Sequence, residues 1–406
     1  MQGSEIVIPD WLWLVFLFAS GGCVGSFLNV VVYRIPRDKS LVFPPSSCPA
    51  CGKHIRFYDN IPIVSWLLLL GRCRYCRARI SPRYFVIELL TALVFVGIFL
   101  LYFRSGLRGG IPSFMAGGWF LYLTTIILLS TLVACSAIDL ELWIIPLSVC
   151  WFASIAGIVA SAIAPLVIHP ATIRHYFLLP TTAALVFVNQ TTVASLTTGA
   201  LIGLGMSLIL LATGLIKRSY DIAGLKESNQ NSEQQQADLD DTQNAAEEFN
   251  DRVEMVREVV FLLPIIAFAI GAHWLVGLLP KDLYQSWAQI SQMPVISGLL
   301  GSLAGYFVGC GFVWGARILF TLIFGREAMG LGDVHLMGAA GTIIGPVFVI
   351  ITFFVAPFFG LIWAGFQMLF KKTRQIPYGP FLSLGILTVI LLQDRIVSYF
   401  KIVFGR

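Results

Sequence analysis

Ten stretches of this chain are apolar for long enough to cross, or nearly cross, a lipid bilayer. They fall near 11–33, 84–103, 119–138, 143–164, 193–216, 259–279, 296–324, 334–350, 352–370 and 380–403. A spanning helix needs about 20 apolar residues. In hydrocarbon every backbone amide must be bonded within the protein, so spans of this kind are helices. The predicted fold class is therefore an all-α polytopic membrane protein with about ten transmembrane helices. The stretch 334–370 is short for two spans, and a re-entrant segment is the alternative there. Composition agrees: 57% of the 406 residues are hydrophobic and only 12% charged. Soluble domains are about 45–50% apolar and about 25% charged. A cytosolic globule and a disordered chain are excluded. The net charge of +5 is too small for a nucleic-acid footprint, which rests on many phosphate contacts.

The charges orient the chain. Met1–Asp10 holds no Lys or Arg, so it is not read as a secretory signal. Ala19–Cys23 faintly resembles a lipoprotein cleavage box but lacks the basic start. Arg34–Arg83 then holds ten of the 27 basic residues, opposed only by Asp38 and Asp59. Short loops rich in Lys and Arg stay cytoplasmic, which places the N-terminus outside and residues 34–83 inside. Alternation puts 139–142, 217–258, 325–333 and 371–379 on the same side. A second polar block, Ser219–Glu258, holds eleven of the 22 acidic residues. It reads as an acidic loop with a short helix near Ala245–Val260. Its composition buries too little to fold alone, and any partner is unknown. Gly298, Gly301, Gly305 and Gly309 recur at helical spacing, as close helix packing requires.

Two motifs carry chemistry. Cys48-Pro-Ala-Cys51 and Cys73-Arg-Tyr-Cys76 are C-x-x-C pairs in the loop assigned to the cytoplasm, where thiols stay reduced. Two such turns can close a tetrahedral four-sulfur shell around Zn²⁺, a structural rather than catalytic arrangement. His54 is surplus to that shell and is read as surface, and Cys23, Cys135, Cys150 and Cys310 as packing residues. Carboxylates at the membrane edge are costly and point to function. Asp139 ends one apolar run, and Asp333 follows Gly330-Leu331-Gly332. Alternation sets both at the cytoplasmic face. Two carboxylates in one partly dry cleft share a proton. The ionised one can then activate water and the protonated one polarise a carbonyl. The alternative is a transporter coupling protons or ions through Asp139 and Asp333. A cysteine-dependent redox membrane protein is a further rival.

These residues resemble a family. Gly25-Ser26-Phe27-Leu28-Asn29-Val30 with Tyr33-Arg34-Ile35-Pro36 is similar to the N-terminal signature of type IV prepilin leader peptidase/N-methyltransferases, the GxGD membrane aspartic peptidases. So are the Cys48–Cys51 pair, Asn60-Ile61-Pro62 with Ser65-Trp66, Gly71-Arg72-Cys73, Ile80-Ser81-Pro82-Arg83-Tyr84 and Glu88. Asp139 with Ile145-Pro146, Gly330-x-Gly332-Asp333, and Pro377-Tyr378-Gly379-Pro380-Phe381-Leu382 follow in family order. The likeness covers about 9–163 and 296–403.

The resemblance implies catalytic Asp139 and Asp333, with a metal shell of Cys48, Cys51, Cys73 and Cys76. It implies removal of the leader of prepilins or pseudopilins after Gly at the cytoplasmic face of the bacterial inner membrane. Methylation of the new N-terminus with S-adenosyl-L-methionine would follow. The implied organisation is a first helix (1–33), a cysteine loop associated with methyl transfer (34–83) and helices with the first Asp (84–164). An insertion with two extra helices and the acidic loop 219–258 comes next (165–295), then helices with GxGD (296–406). Three features depart from the pattern. His335 stands where Lys is usual, which could alter the charge balance of the pair. Leu147 stands where a capping Asp or Asn is usual, with Ser148 as a substitute cap. Pro165–Val295 is additional.

Overall fold

The computed structural model describes residues 9–184, 188–216, 251–370 and 377–404. Among these the backbone is helical with no strand; isolated bridges join Ser47 to His54 and Arg72 to Arg79. The long helices are α1 (Asp10–Arg34), α3 (Pro82–Phe103), α4 (Gly118–Leu142), α5 (Leu147–Val167), α7 (Gln190–Ala212), α8 (Asp251–Leu278), α10 (Pro294–Phe324), α12 (Pro346–Phe370) and α13 (Gly379–Phe404). Nine described helices are long and apolar enough to cross a membrane. Shorter ones are α2 (Val64–Leu68), α6 (Pro170–Tyr176), α9 (Lys281–Gln292) and α11 (Leu331–Ile344).

Local chemistry sets the breaks. Ser81 caps α3 by accepting from the Arg83 N–H, with Pro82 at the first helical position, where its missing N–H costs nothing. Trp143 closes α4 in a left-handed conformation and donates its N–H to the Asp139 carbonyl.

Consecutive helices run up and down, so their ends form two faces. One carries the cysteine loop, the end of α4 and the starts of α5, α8, α11 and α13. The other is tied together by the Gln393 amide on the Phe177 carbonyl at 2.6 Å and by Asp394 accepting from the Gly109 N–H. Gly345, at the far end of α11, lies beside Pro180 of that second face.

Two expectations need correction. The predicted span 334–350 is not a full-length helix. At 1.5 Å per residue the 14-residue α11 is about 21 Å long, short of the roughly 30 Å hydrocarbon core. It ends at Gly345, whose φ of +90° breaks the chain before Pro346. Hydropathy cannot see that break, because apolar residues continue across it. The helix still joins the two faces. Its backbone packs on α10 through the expected small residues: a Cβ on Gly305 would lie 2.0 Å from the Gly341 carbonyl oxygen.

The second correction concerns the acidic block. Residues 217–250 lie outside the described ones, but 251–258 belong to α8, and Glu254 and Glu258 are buried at 4% and 2% exposure.

Candidate active site

The end of α4 brings in Asp139, which is 6% exposed. Its Oδ2 accepts the Gly379 N–H at 2.9 Å. This is the first turn of α13, where amides point outward unpaired and favour negative charge. Gly379 has to be glycine for this approach, since a Cβ there would sit 2.8 Å from the same oxygen. Asp333 is the third residue of α11 and is 8% exposed. Its Oδ2 lies beside Gly330, the helix N-cap. Oδ1 is buried with no partner among the described residues. Asp139 is near enough for its charge to be felt at Asp333. Gly332 lets α11 come this near, because a Cβ there would meet the Ile145 side chain at 2.6 Å and its carbonyl at 2.8 Å. Thus Ile144-Ile145-Pro146, Gly330-Leu331-Gly332-Asp333 and Tyr378-Gly379 converge on two carboxylates with one oxygen left free for a further group.

Antiparallel packing of α10 and α11 sets the carboxylates back from the end of α10. Gly305 faces Gly341 and Gly309 faces Met337. Continuing that register, the last nine residues of α10, roughly 13 Å of helix, run past the start of α11. Asp333 therefore lies below the level of the α10 end.

The departures at His335 and Leu147 have a structural answer. The His335 Nδ1 is 3.1 Å from the Tyr306 hydroxyl, and its ring meets Trp151 edge-on. Those partners belong to α10 and α5 rather than to the carboxylate pair. At α5 the N-cap is Pro146 and no side chain caps the helix, so Ser148 does not stand in for the usual Asp or Asn.

The loop between α1 and α3 forms two matching knuckles. The Cys48 N–H donates to the Lys53 carbonyl and Gly52 N–H returns to Cys48; Cys73 pairs with Ala78 and Arg77 in the same way. The second residue of each return has positive φ, Gly52 at +69° and Arg77 at +57°. The four thiol sulfurs of Cys48, Cys51, Cys73 and Cys76 lie within 4.8 Å of one another, with Cys48 and Cys76 at 3.8 Å. Tetrahedral bonds of about 2.3 Å to zinc set sulfurs about 3.8 Å apart. The donor set therefore fits such an ion. His54 is exposed, as expected for a bystander.

Two contacts fix the loop to the membrane helices, and spacing alone does not show either. Glu88 of α3 accepts the Ile63 N–H at 2.7 Å. Glu141, two residues beyond Asp139, pairs with Arg83 and, at 3.8 Å, with Arg37. A buried arginine, Arg317, was also beyond reach of the sequence: it lies inside an apolar run, and its partners are distant in the chain.

These features define a multi-pass helical membrane protein with a pair of buried carboxylates and a four-cysteine loop on one face. Comparison with known proteins then places it. Residues 19–102 match the family described as Bacterial Peptidase A24 N-terminal domain, and residues 256–365 the one described as Type IV leader peptidase family. Over these two stretches the chain is similar to that leader peptidase family. The prepilin leader peptidase/N-methyltransferase of Myxococcus xanthus is 45% identical over 148 residues, 36% of this chain and 40% of that protein. The type 4 prepilin-like proteins leader peptide-processing enzyme of Escherichia coli is 41% identical over 145 residues, 31% of this chain and 49% of that protein. A prepilin leader peptidase/N-methyltransferase of Klebsiella pneumoniae is 40% identical over 142 residues, 34% of this chain and 56% of that protein.

The chain thus spans about half the length of the curated relatives it matches. No solved structure matches it. None of these relatives supports the transporter alternative. Asp333 lies within the second match and Asp139 within neither. That match begins at residue 256 and so takes in 256–295, part of the stretch expected to be additional.

Proposed function

We infer that the chain is a membrane aspartic endopeptidase that removes the leader of type IV prepilins or pseudopilins after Gly. The observation that supports this most is that Asp139 and Asp333, each less than a tenth exposed, sit on helix ends that meet around Ile145. One carboxylate takes a proton from water as the water attacks the scissile carbonyl. The other gives its proton to that carbonyl oxygen; as the intermediate collapses, the first passes the proton it took from water to the leaving amine and the second recovers one from the intermediate's hydroxyl. The Gly379 amide holds Asp139 in register, and the free oxygen of Asp333 is left to face water or substrate. Leader removal at the cytoplasmic face of the inner membrane fits this site, because the bond to be cut lies where a basic leader joins an apolar helix. Arg34–Arg83, on the same face, supports that orientation.

Methylation of the new N-terminus is the second activity, supported by the names of the relatives. S-adenosyl-L-methionine is the methyl donor on this reading, and we assign it no residues. Zinc held by Cys48, Cys51, Cys73 and Cys76 would keep the loop folded. The division into 1–33, 34–83, 84–164, 165–295 and 296–406 serves this plan, with Asp139 in the third block and Asp333 in the last.

Mass spectrometry of a co-expressed pilin N-terminus tests both activities at once. The wild type should yield a leaderless, methylated chain. Asp139→Asn and Asp333→Asn should leave the leader in place while the protein inserts and keeps its metal. Full cleavage by either variant would refute the assignment.

A further inference from the structure

The segment that sets Asp333 in place hangs on a charge the chemistry above does not use. Arg317 of α10 is fully buried. Its Nε donates to the Met329 carbonyl at 2.7 Å and its Nη2 to Glu327 at 2.8 Å. Its Nη1 pairs with Glu258 of α8, which is 2% exposed, and the other Glu258 oxygen accepts the Trp314 indole N–H at 2.7 Å. Between these anchors the Ala328 N–H donates to Thr321 at 3.1 Å. Three consecutive residues, Glu327 to Met329, are therefore tied to α10, directly before the Gly330 N-cap and Asp333.

Burying an ion pair is expensive, and an apolar pair of similar volume often does as well for stability. A guanidinium differs from an apolar group in being a rigid fork that can hold several acceptors in fixed directions. Here the fork reaches a backbone carbonyl and two carboxylates on separate segments.

We propose that Arg317, neutralised by Glu258, is a positioning residue for Asp333: it fixes the connection 325–330 so that Asp333 meets Asp139. The proposal rests on the peptidase reading, and its test keeps the two apart. Full-length protein in liposomes is assayed on a prepilin for kcat and KM, with thermal melting measured alongside. Displacing a reacting group by about 1 Å can cost roughly a hundredfold. Arg317→Lys and Glu258→Gln should each lower kcat by about tenfold or more. KM should stay within about twofold, and the loss should persist well below the melting temperature. Glu327→Gln, whose side chain is 47% exposed, should stay within about threefold of wild type.

Wild-type kcat in both Arg317→Lys and Glu258→Gln overturns the proposal. So does a loss confined to KM, or one that disappears on cooling. Where Arg317→Lys does not fold, Glu258→Gln decides alone. Wild-type cleavage by Asp333→Asn would overturn the peptidase reading and this inference with it. An inactive Asp333→Asn beside a fully active Glu258→Gln overturns this inference only.

Discussion

Asp139 and Asp333 were legible as candidates because a carboxylate at the end of an apolar run needs a reason to be there. What the sequence does not show is how each is held. Asp139 depends on an amide 240 residues away, and only the absence of a side chain at Gly379 allows that contact. Gly379→Ala is therefore a sharp probe. It keeps the N–H but puts a Cβ 2.8 Å from the Asp139 oxygen, inside any normal contact, so carboxylate or helix must shift. We expect kcat for prepilin cleavage to fall by about tenfold or more, with insertion and metal content unchanged. An assay at saturating substrate showing wild-type turnover would mean that the contact does not matter to the chemistry. His335 makes the opposite point. It stands where the family pattern has Lys, from which an effect on the charge balance of the pair was expected, yet two positions along a helix from Asp333 is a turn of about 200°. The ring accordingly meets Tyr306 and Trp151.

Whole elements were easier to foresee where one physical demand fixes them. Lipid demands unbroken apolar runs, so nine long helices stand close to their expected places. Helix α11 was misjudged because a break at Gly345-Pro346 leaves hydropathy unchanged. The start of α8 was misjudged because Glu254 and Glu258 look like loop residues until Arg317, 59 positions further on, is seen beside Glu258. The cysteine knuckles were the most legible element, since spacing alone brings four thiols together. The thiols influence one another's protonation. The Cys76 and Tyr75 N–H groups hold the Cys73 thiol down, to about 6. The Ala78 N–H favours the Cys76 thiolate, but desolvation and the neighbouring thiols outweigh it and push that thiol up to about 11. A divalent ion removes the conflict by replacing the shared protons. Elemental analysis of purified protein should find about one zinc per chain, lost in Cys48→Ser and Cys73→Ser, and lost from the wild type on acidification as protons compete for sulfur. Methylation should fall with the metal while leader cleavage outlasts it. Unchanged methylation and an equally protease-resistant loop after metal loss would remove the structural role.

At the scale of the whole molecule, the fold is a device for bringing several chain ends to one level. Helices α4, α5, α11 and α13 all turn at the face that carries the cysteine loop, and α10 rises past them, so the carboxylates lie in a recess. Arg83 and Arg37, both close to the loop ends, pair with Glu141 at the end of α4. The loop is thereby pinned beside the recess instead of hanging free. The same geometry makes a strict statement about sidedness. With ten crossings, counting the short α11, every connection on the cysteine face must share one compartment. The excess of ten basic residues over two acidic ones in 34–83 is the argument for our proposal that this compartment is the cytoplasm. Ser113 and Ser286 are exposed on the opposite face, and Ser40 is exposed on the cysteine face. In intact cells, a membrane-impermeant thiol reagent should label Ser113→Cys and Ser286→Cys above the wild-type background. It should reach Ser40→Cys only after the membrane is opened. Labelling of Ser40→Cys from outside would invert the protein and carry the carboxylates to the wrong side for a cytoplasmic leader. Labelling of Ser113→Cys without Ser286→Cys would instead break the alternation between α4 and α10, and with it the placing of Asp139 and Asp333 in one recess.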